Sequence, residues 1–266
     1  MTYSFSPATS KLAVSLSGSI ATVAIDNAPK HNAVDLEMWK AFPSLMETLD
    51  RDLDVRVVVL RGAGQASFAS GADIAEFATV RANAEGGRLY EAANEAAFWA
   101  VAHCSKPVIA MIRGFCLGGG FGLALSCDLR VASESAIFGI PAARLGVGYP
   151  PGAMKLVTAA VGAPAAKDLF FTARRLGAQE AQRLGVVQRL VPDGELEQVT
   201  HAIAESIGEN APLTIRAAKA AIDEAAGVAH PNVNPVALAD HCFDSTDAVE
   251  GREAFLQKRR PAFTGQ

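Results

Sequence analysis

The sequence predicts an α/β fold, with a parallel-sheet core in residues 1–190 and a helical region in residues 191–266. Two apolar runs, at 55–60 and 107–112, are typical of strands that are buried on both faces of a parallel sheet. Helical patterns lie between the strands and dominate the chain after Pro151. Half of the 266 residues are hydrophobic, which provides enough apolar surface for a large core.

The remaining elements follow from local patterns of apolar and turn-forming residues. Apolar residues at 12–16 and 20–25 flank Gly18, which predicts a β-hairpin. Asp35 is predicted to cap a helix that runs to about residue 49, and small residues at 62–71 predict a loop. Further short strands are predicted at 129–132, 136–140 and 186–191. Further helices are predicted from residue 73 onward and at 88–102, 123–125, 155–161, 165–172, 178–184, 195–209, 212–226 and 235–257.

Composition and charge exclude several classes of protein. The formal net charge of −4 gives no reason to expect a nucleic acid or an anionic membrane as partner. No run of 18 apolar residues occurs, and the first ten residues lack the pattern of a signal peptide. The four cysteines show no zinc-ligand spacing and the five histidines are scattered, so we expect no metal. Free thiols fit a reducing compartment, and we therefore expect a cytoplasmic protein.

A glycine-rich turn, Gly118-Gly119-Gly120, follows a predicted strand and precedes a predicted helix. The first N–H groups of a helix have no partner within it, and glycine lets a ligand approach the backbone closely, so such a turn can bind an anionic oxygen. A dinucleotide fingerprint would need a third glycine where Leu123 stands, and the lysine of a phosphate-binding P-loop is absent. We therefore exclude nucleotide binding of these two kinds.

A cysteine nucleophile is an alternative use of the same turn. Gly114-Phe-Cys116-Leu-Gly118 has the G-x-C-x-G spacing of a nucleophile elbow, which would predict an α/β-hydrolase. The competing interpretation is that Cys116 is a small buried residue, because free cysteines are often buried. The acid and base that the hydrolase needs would come from Asp193, Asp223, His201 and His230.

A second turn of small residues, Phe68-Ala-Ser-Gly71-Ala72-Asp73-Ile74, also precedes a predicted helix. Two such turns could each give one N–H to a single oxygen. Together with motifs along nearly the whole chain, these turns resemble the crotonase (enoyl-CoA hydratase/isomerase) superfamily. The motifs are Pro29-Lys-His-Asn-Ala33, Lys106-Pro-Val-Ile-Ala110, Gly114-Phe-Cys-Leu-Gly-Gly-Gly120, Cys127-Asp-Leu-Arg-Val-Ala132, Phe138-Gly-Ile-Pro141, Leu145-Gly-Val147, Glu250-Gly251, Ala254-Phe255 and Lys258-Arg259.

The resemblance implies a ββα spiral core and a helical C-terminal trimerisation region, in a homotrimer or a dimer of trimers. It implies an acyl-CoA thioester as partner, with coenzyme A carried by the substrate and no separate cofactor. By motif, the thioester oxygen lies between the backbone N–H groups of Ala72 and Gly119. The residues that it places near coenzyme A or the acyl group are Lys30, His31, Ala33, Ser70, Gly71, Asp73, Ile74, Leu117, Gly118, Pro141, Ala142 and Lys258.

The sequence departs from the family where its hydratases carry two glutamates. The matching positions hold Gly122 and Ala142, so neither side chain can move a proton. Tyr149 falls where some decarboxylases of the family carry a tyrosine, and its phenol is a candidate catalytic group; its alternative role is that of a buried aromatic. Glu76 is a further candidate acid. Three functions stay open: enolate chemistry of a hydratase/isomerase or decarboxylase kind, non-catalytic acyl-CoA binding, and the Cys116 hydrolase.

Overall fold

The computed structural model describes residues 9–266, which form two sheets and a set of flanking helices. The strands among these residues are β1 (Leu12–Ser17), β2 (Ile20–Ile25), β3 (Val57–Gly62), β4 (Ser67–Ala69), β5 (Val108–Ile112), β6 (Phe115–Leu117), β7 (Leu129–Ser133), β8 (Ile137–Gly139), β9 (Arg175–Gly177) and β10 (Arg189–Val191). The helices are α1 (Leu36–Arg51), α2 (Phe77–Val80), α3 (Ala84–Ala102), α4 (Gly118–Leu125), α5 (Ala142–Leu145), α6 (Pro151–Thr172), α7 (Ala178–Arg183), α8 (Leu196–Gly208), α9 (Pro212–Ala225), α10 (Pro235–Phe243) and α11 (Thr246–Gln257).

The larger sheet has six strands in the order β1-β2-β3-β5-β7-β10. Strands β1 and β2 form the predicted antiparallel hairpin, and every other neighbouring pair in the sheet is parallel. The predicted strands at 55–60 and 107–112 become β3 and β5, whose apolar side chains are buried as expected for strands covered on both faces. The predicted boundary at residue 190 falls within β10, which pairs with β7.

The second sheet has four short strands in the order β4-β6-β8-β9. Strands β4, β6 and β8 are parallel, and β9 is antiparallel to β8. The prediction of a plain loop at 62–71 is wrong, because β4 lies within it. Strand β9 was not predicted either. Strands of three residues are too short to show an alternation of apolar and polar side chains, so sequence periodicity cannot reveal them.

The helices confirm most of the predicted ones and shift the ends of several. Asp35 caps α1, since its carboxylate accepts a hydrogen bond of 2.9 Å from the Met38 N–H. Helix α4 begins at Gly118 rather than at residue 123. Helix α6 joins two predicted helices across a kink at Gly162, where φ is 76°. The predicted helix at 235–257 is divided into α10 and α11.

Helix α3 packs against α1 and lies beside α4, which fixes its position near the glycine turn. The Trp39 indole of α1 stacks edge-on against Phe98 of α3, with ring centroids 5.8 Å apart. The indole N–H also donates a hydrogen bond of 2.9 Å to the Tyr90 hydroxyl of α3. All three side chains are fully buried, so they hold one face of α3 firmly against the core.

Across residues 9–266, no helix combines the length and the apolar character needed to cross a membrane. The same residues contain no group of three or more His, Cys, Asp or Glu side chains that could hold a metal ion.

Candidate active site

The two small-residue turns predicted from the sequence meet at one end of the smaller sheet. Strands β4 and β6 are parallel neighbours, so the turns that follow them leave the sheet side by side. Gly71 and Gly118 have φ angles of 111° and 51°, in the left-handed region that glycine tolerates best. A Cβ atom on Gly71 would lie only 3.1 Å from the Leu117 carbonyl oxygen, and one on Gly118 would lie 3.8 Å from the Gly71 Cα. Glycine therefore permits both the conformation and the close approach.

Each turn leaves one backbone donor unused. The Val34 N–H donates to the Gly71 carbonyl and the Asp73 N–H donates to the Val34 carbonyl, at 2.8 Å and 3.0 Å. The intervening Ala72 N–H has no backbone acceptor among the described residues. Gly119 is the second residue of α4, where a helix leaves its N–H groups without internal partners. These two N–H groups can therefore serve an oxygen atom bound beside them.

Ala72 and Gly119, which carry the two donors, line the same pocket. The residues predicted for the site that line this pocket are Ser70, Gly71, Ala72, Ile74, Gly118, Gly119, Pro141, Ala142 and Tyr149. They come from four separate parts of the chain, which the fold brings together around the two turns.

Other predicted site residues lie outside the pocket lining: Lys30, His31, Ala33, Asp73, Leu117 and Lys258. The Lys30 ammonium and the buried Asp73 carboxylate form an ion pair of 2.5 Å that ties the two loops together. Asp73 also accepts a hydrogen bond from the Ala75 N–H, which supports a structural role at the start of the next turn. The His31 ring packs edge-on against Phe115. Lys258 is exposed at the C-terminus of α11.

The position of the first missing glutamate is filled by an aromatic ring. A Cβ atom on Gly122 would lie 2.4 Å from Phe98 Cζ and 2.8 Å from Phe98 Cε2, so a side chain fits here only if the Phe98 ring moves. At the second position, the small Ala142 side chain lines the pocket and is almost fully buried. Gly122 therefore cannot be replaced by a carboxylate-bearing residue without movement of the Phe98 ring, and Ala142 carries no proton-transferring group.

Tyr149 is a polar group of the pocket. Its ring stacks edge-on against Phe170 of α6, with centroids 5.0 Å apart. Burial raises the pKa of the Tyr149 phenol well above its usual range, so the group stays protonated at neutral pH. Among the described residues, its hydroxyl has no hydrogen-bond partner, which leaves it available to a ligand.

The pocket also contains a charged pair that no sequence motif reveals. Among the described residues, Glu91 and Arg81 are the only charged side chains that line it. A guanidinium nitrogen of Arg81 lies 2.5 Å from Glu91 Oε1, and the guanidinium stacks over the rings of Phe77 and Tyr90. Burial raises the pKa of Glu91, and the nearby Arg81 offsets only part of this effect. Glu91 lies three and seven residues before Asn94 and Phe98, a helical spacing that could have revealed a shared face.

Two candidates from the sequence do not reach the site. Glu76 accepts a hydrogen bond of 2.9 Å from the Leu36 N–H at the start of α1 and does not line the pocket. Cys116 is fully buried, and its thiol lies 3.8 Å from the Gly120 carbonyl. Burial raises the pKa of this thiol well above its usual value, which disfavours the thiolate that a nucleophile needs. Burial and the raised pKa of the thiol argue against the hydrolase interpretation of Cys116.

Comparisons with known proteins agree with the motifs and the geometry. The model of the enoyl-CoA hydratase/isomerase family matches residues 15–266. A short-chain-enoyl-CoA hydratase of Clostridium acetobutylicum is 34% identical over 247 residues, covering 91% of this chain and 93% of the relative. A peroxisomal Delta(3,5)-Delta(2,4)-dienoyl-CoA isomerase of Arabidopsis thaliana is also 34% identical, over 90% of this chain and 91% of its own length.

Solved structures confirm the predicted crotonase-like α/β fold. An enoyl-CoA hydratase/carnithine racemase from Magnetospirillum magneticum superposes with a TM-score of 0.90 at 36% identity, covering 98% of this chain and 97% of the other. An enoyl-CoA hydratase from Bacillus anthracis superposes with a TM-score of 0.86 at 31% identity, covering 96% and 100%. Sequence motifs, fold and family match all converge, and the chain belongs to the enoyl-CoA hydratase/isomerase family, the crotonase superfamily of enzymes that act on acyl-CoA thioesters.

Proposed function

We propose that this chain binds an acyl-CoA thioester with its carbonyl oxygen between the N–H groups of Ala72 and Gly119 and converts it through an enolate. The observation that carries the proposal is the presence of two unused backbone donors, on adjacent turns, in one pocket. Donors of this kind stabilise negative charge most where it develops, and removal of one typically raises the barrier by about 2.7–4 kcal/mol. The enolate oxygen is the atom on which this charge develops.

The reaction we favour is of the hydratase/isomerase type, by a route that does not use the two usual glutamates. Gly122 and Ala142 offer no proton-transferring group, and the Phe98 ring occupies the space beside Gly122. A general acid or base contributes about 10²–10⁴-fold to the rate, so ordinary hydration at these two positions would be strongly impaired. Proton transfer must come from another side chain of the pocket.

Coenzyme A is proposed to enter as part of the substrate, with no separate cofactor. The surface around Lys30 and Ser70 would meet the pantetheine and adenine groups, because Ser70 lines the mouth of the pocket and its hydroxyl donates to the Lys30 carbonyl. Lys258 would meet the nucleotide phosphates as a point charge, supplied by a neighbouring copy of the chain. Its exposed position at the end of α11, away from the pocket lining, suits such a role.

We also propose that copies of the chain assemble as a trimer or a dimer of trimers through the C-terminal helices. The large apolar side chains of Phe243, Phe255 and Leu256 on α10 and α11 are largely exposed. Exposed apolar surface of this kind is typical of contact sites between proteins.

Decarboxylation is the second candidate, and the position of Tyr149 favours it. In this reaction the bond between the α-carbon and a carboxylate breaks, carbon dioxide leaves, and the electron pair forms the enolate. A proton then adds to the α-carbon. The first step needs no base, and the unpartnered Tyr149 hydroxyl could donate a hydrogen bond to the carboxylate or the enolate. Binding of acyl-CoA without turnover is the remaining alternative.

The test is a screen of thioesters followed by mass spectrometry. Crotonyl-CoA, a 3-enoyl-CoA and methylmalonyl-CoA report hydration, isomerisation and decarboxylation, and calorimetric titration with acetyl-CoA reports binding. We expect binding, and turnover of at least one thioester. Ala72→Pro deletes one donor that makes no backbone hydrogen bond, and should lower kcat/KM at least about 100-fold. Absence of binding to every thioester would refute the proposal, and unchanged kcat/KM in folded Ala72→Pro would refute the assigned oxyanion hole.

A further inference from the structure

Three side chains on one face of helix α3 lie near the two turns that carry the Ala72 and Gly119 N–H groups. Glu91, Asn94 and Phe98 are spaced by three and four residues, which places them in a row on a helix. Phe98 fills the space beside Gly122, and the Asn94 amide nitrogen lies 3.3 Å from the point where a Cβ of Gly119 would be. Glu91 and Asn94 both line the pocket that contains the donors. The helix that excludes a carboxylate at Gly122 thus brings its own carboxylate to the same pocket.

We propose that Glu91 is the catalytic acid and base of this enzyme, moving the proton at the α-carbon of the bound acyl-CoA, and that Arg81 positions its carboxylate. The inference rests on the proposed function, since it needs an enolate held by Ala72 and Gly119. Glu91 is the only carboxylate among the described residues that lines the pocket. No other side chain of the lining can take a proton from carbon at neutral pH and return it, because the phenols of Tyr90 and Tyr149 stay protonated.

The surroundings of Glu91 suit this role. Arg81 fixes the carboxylate through a hydrogen bond of 2.5 Å, and its guanidinium is itself held between the rings of Phe77 and Tyr90. The Arg81 Nε–H is buried and has no partner among the described residues, so no other polar group of these residues competes with Glu91 for this nitrogen. The carboxyl side chain is 20% exposed, which leaves it accessible from the pocket.

The groups around Glu91 shift its pKa in opposite directions. Arg81 favours the carboxylate, whereas burial and the nearby Glu95 favour the neutral acid, and together they raise the pKa of Glu91. Tyr90 and Tyr149 are the neutral neighbours across the pocket. A carboxyl whose pKa is moved towards neutral pH is a better acid and base at that pH than an ordinary glutamate.

The proposed step balances in protons and electrons. The Glu91 carboxylate takes a proton from the α-carbon, and the C–H electron pair forms the carbon–carbon double bond of the enolate. The negative charge moves to the thioester oxygen between Ala72 and Gly119. The neutral acid then exchanges its proton with solvent and returns a solvent-derived proton to the α-carbon, which gives net exchange. On an unsaturated chain it can instead give the proton to the γ-carbon, which isomerises the double bond.

The experiment measures exchange of the α-proton of butyryl-CoA in D2O by mass spectrometry. Glu91→Gln keeps the size of the side chain and an acceptor for Arg81 but removes the base, and should slow exchange at least about 100-fold. Binding of butyryl-CoA, measured by calorimetric titration, should change less than about threefold. Glu85→Gln is the matched control, because Glu85 is an exposed glutamate on the same helix and lines neither this pocket nor the adjoining cavity. It should leave exchange within about threefold of the original rate.

The pH dependence separates a catalytic role from a structural one. A base works in its deprotonated form, so exchange should fall as the pH drops through the raised pKa of Glu91, and this limb should vanish in Glu91→Gln. If Glu91→Gln fails to fold, Glu91→Asp keeps the charge while withdrawing the carboxylate by one methylene, and should still slow exchange about tenfold or more.

The outcomes distinguish the two levels of the proposal. Exchange within threefold of the original rate in folded Glu91→Gln or in Glu91→Asp would overturn the role of Glu91, as would a loss of binding that accounts for the whole effect. If the unchanged enzyme decarboxylates methylmalonyl-CoA but exchanges no α-proton of butyryl-CoA, Glu91 is not a base and the enolate proposal still stands. If the enzyme neither exchanges nor converts any thioester, both proposals fall.

Discussion

The contact between Gly122 and Phe98 makes a prediction about stability that can be worked from distances. Gly122 lies within α4, where alanine is ordinarily favoured over glycine by about 0.8–1.0 kcal/mol. Here the added methyl group would lie 2.4 Å from Phe98 Cζ, and both residues are buried. Overpacking of a close-packed core costs about 1–3 kcal/mol. Gly122→Ala should therefore lower the free energy of unfolding by up to about 2 kcal/mol.

The effect of Gly122→Ala on the free energy of unfolding should change sign when the Phe98 ring is replaced by a shorter side chain. Phe98→Leu removes the Cε and Cζ atoms that cause the contact, at a cost of its own within the usual range of about 0.5–3 kcal/mol. In that background Gly122→Ala has room for its methyl group and should become neutral or stabilising by up to about 1 kcal/mol. The two substitutions should thus be coupled by about 1–3 kcal/mol, as expected for residues in direct contact.

Thermal unfolding of the four proteins, at one protein concentration, measures this coupling. A change of 1 kcal/mol shifts the Tm by about 2–4 °C in domains of 150–250 residues. Gly87→Ala on α3 is the control, because a Cβ there meets nothing within 4 Å, and it should raise the Tm in both backgrounds. Equal effects of Gly122→Ala with and without the Phe98 ring would refute the claim that this ring excludes a side chain at position 122.

Two further predictions concern the remaining candidate groups. Tyr149→Phe should slow turnover of the preferred thioester at least about tenfold if the phenol donates a hydrogen bond to the reacting group, and an unchanged kcat would remove it from the mechanism. Cys116→Ser should leave kcat within about threefold of the original value, because the thiol is fully buried and does not line the pocket. Loss of turnover in a folded Cys116→Ser protein would revive a role for this thiol.

Much of the fold could be predicted because the larger sheet has long, regular strands. Strands β3 and β5 are continuous apolar runs, and the hairpin of β1 and β2 surrounds the turn at Gly18. Three strands of the smaller sheet, β4, β6 and β9, escaped prediction because they have three residues each and are defined by their pairing with distant parts of the chain. Such pairing is a property of the tertiary structure and leaves no local pattern.

The backbone part of the proposed site could be predicted from the sequence, and the side-chain part could not. The turns at Ala72 and Gly119 contain glycines, which mark a backbone conformation that other residues rarely adopt, and residues of both turns line one pocket. Glu91, in contrast, is one of three glutamates on α3, and nothing nearby in the sequence distinguishes it from the other two. Its position became visible only when α3 was packed against α4, with Phe98 beside Gly122.

In the proposed site, the backbone of the two turns activates the thioester and a side chain of α3 transfers the proton. This separation affects which mutations the enzyme tolerates. Thioester activation in this site depends on peptide N–H groups, which every residue except proline possesses, so most substitutions at Ala72 leave the donor in place. The proposed proton transfer depends instead on a side chain carried by α3, which a single substitution can replace. Thioester binding by the two N–H groups would therefore tolerate most mutations, whereas proton transfer would not. A protein built in this way can lose or exchange its proton-transferring group and still bind the thioester.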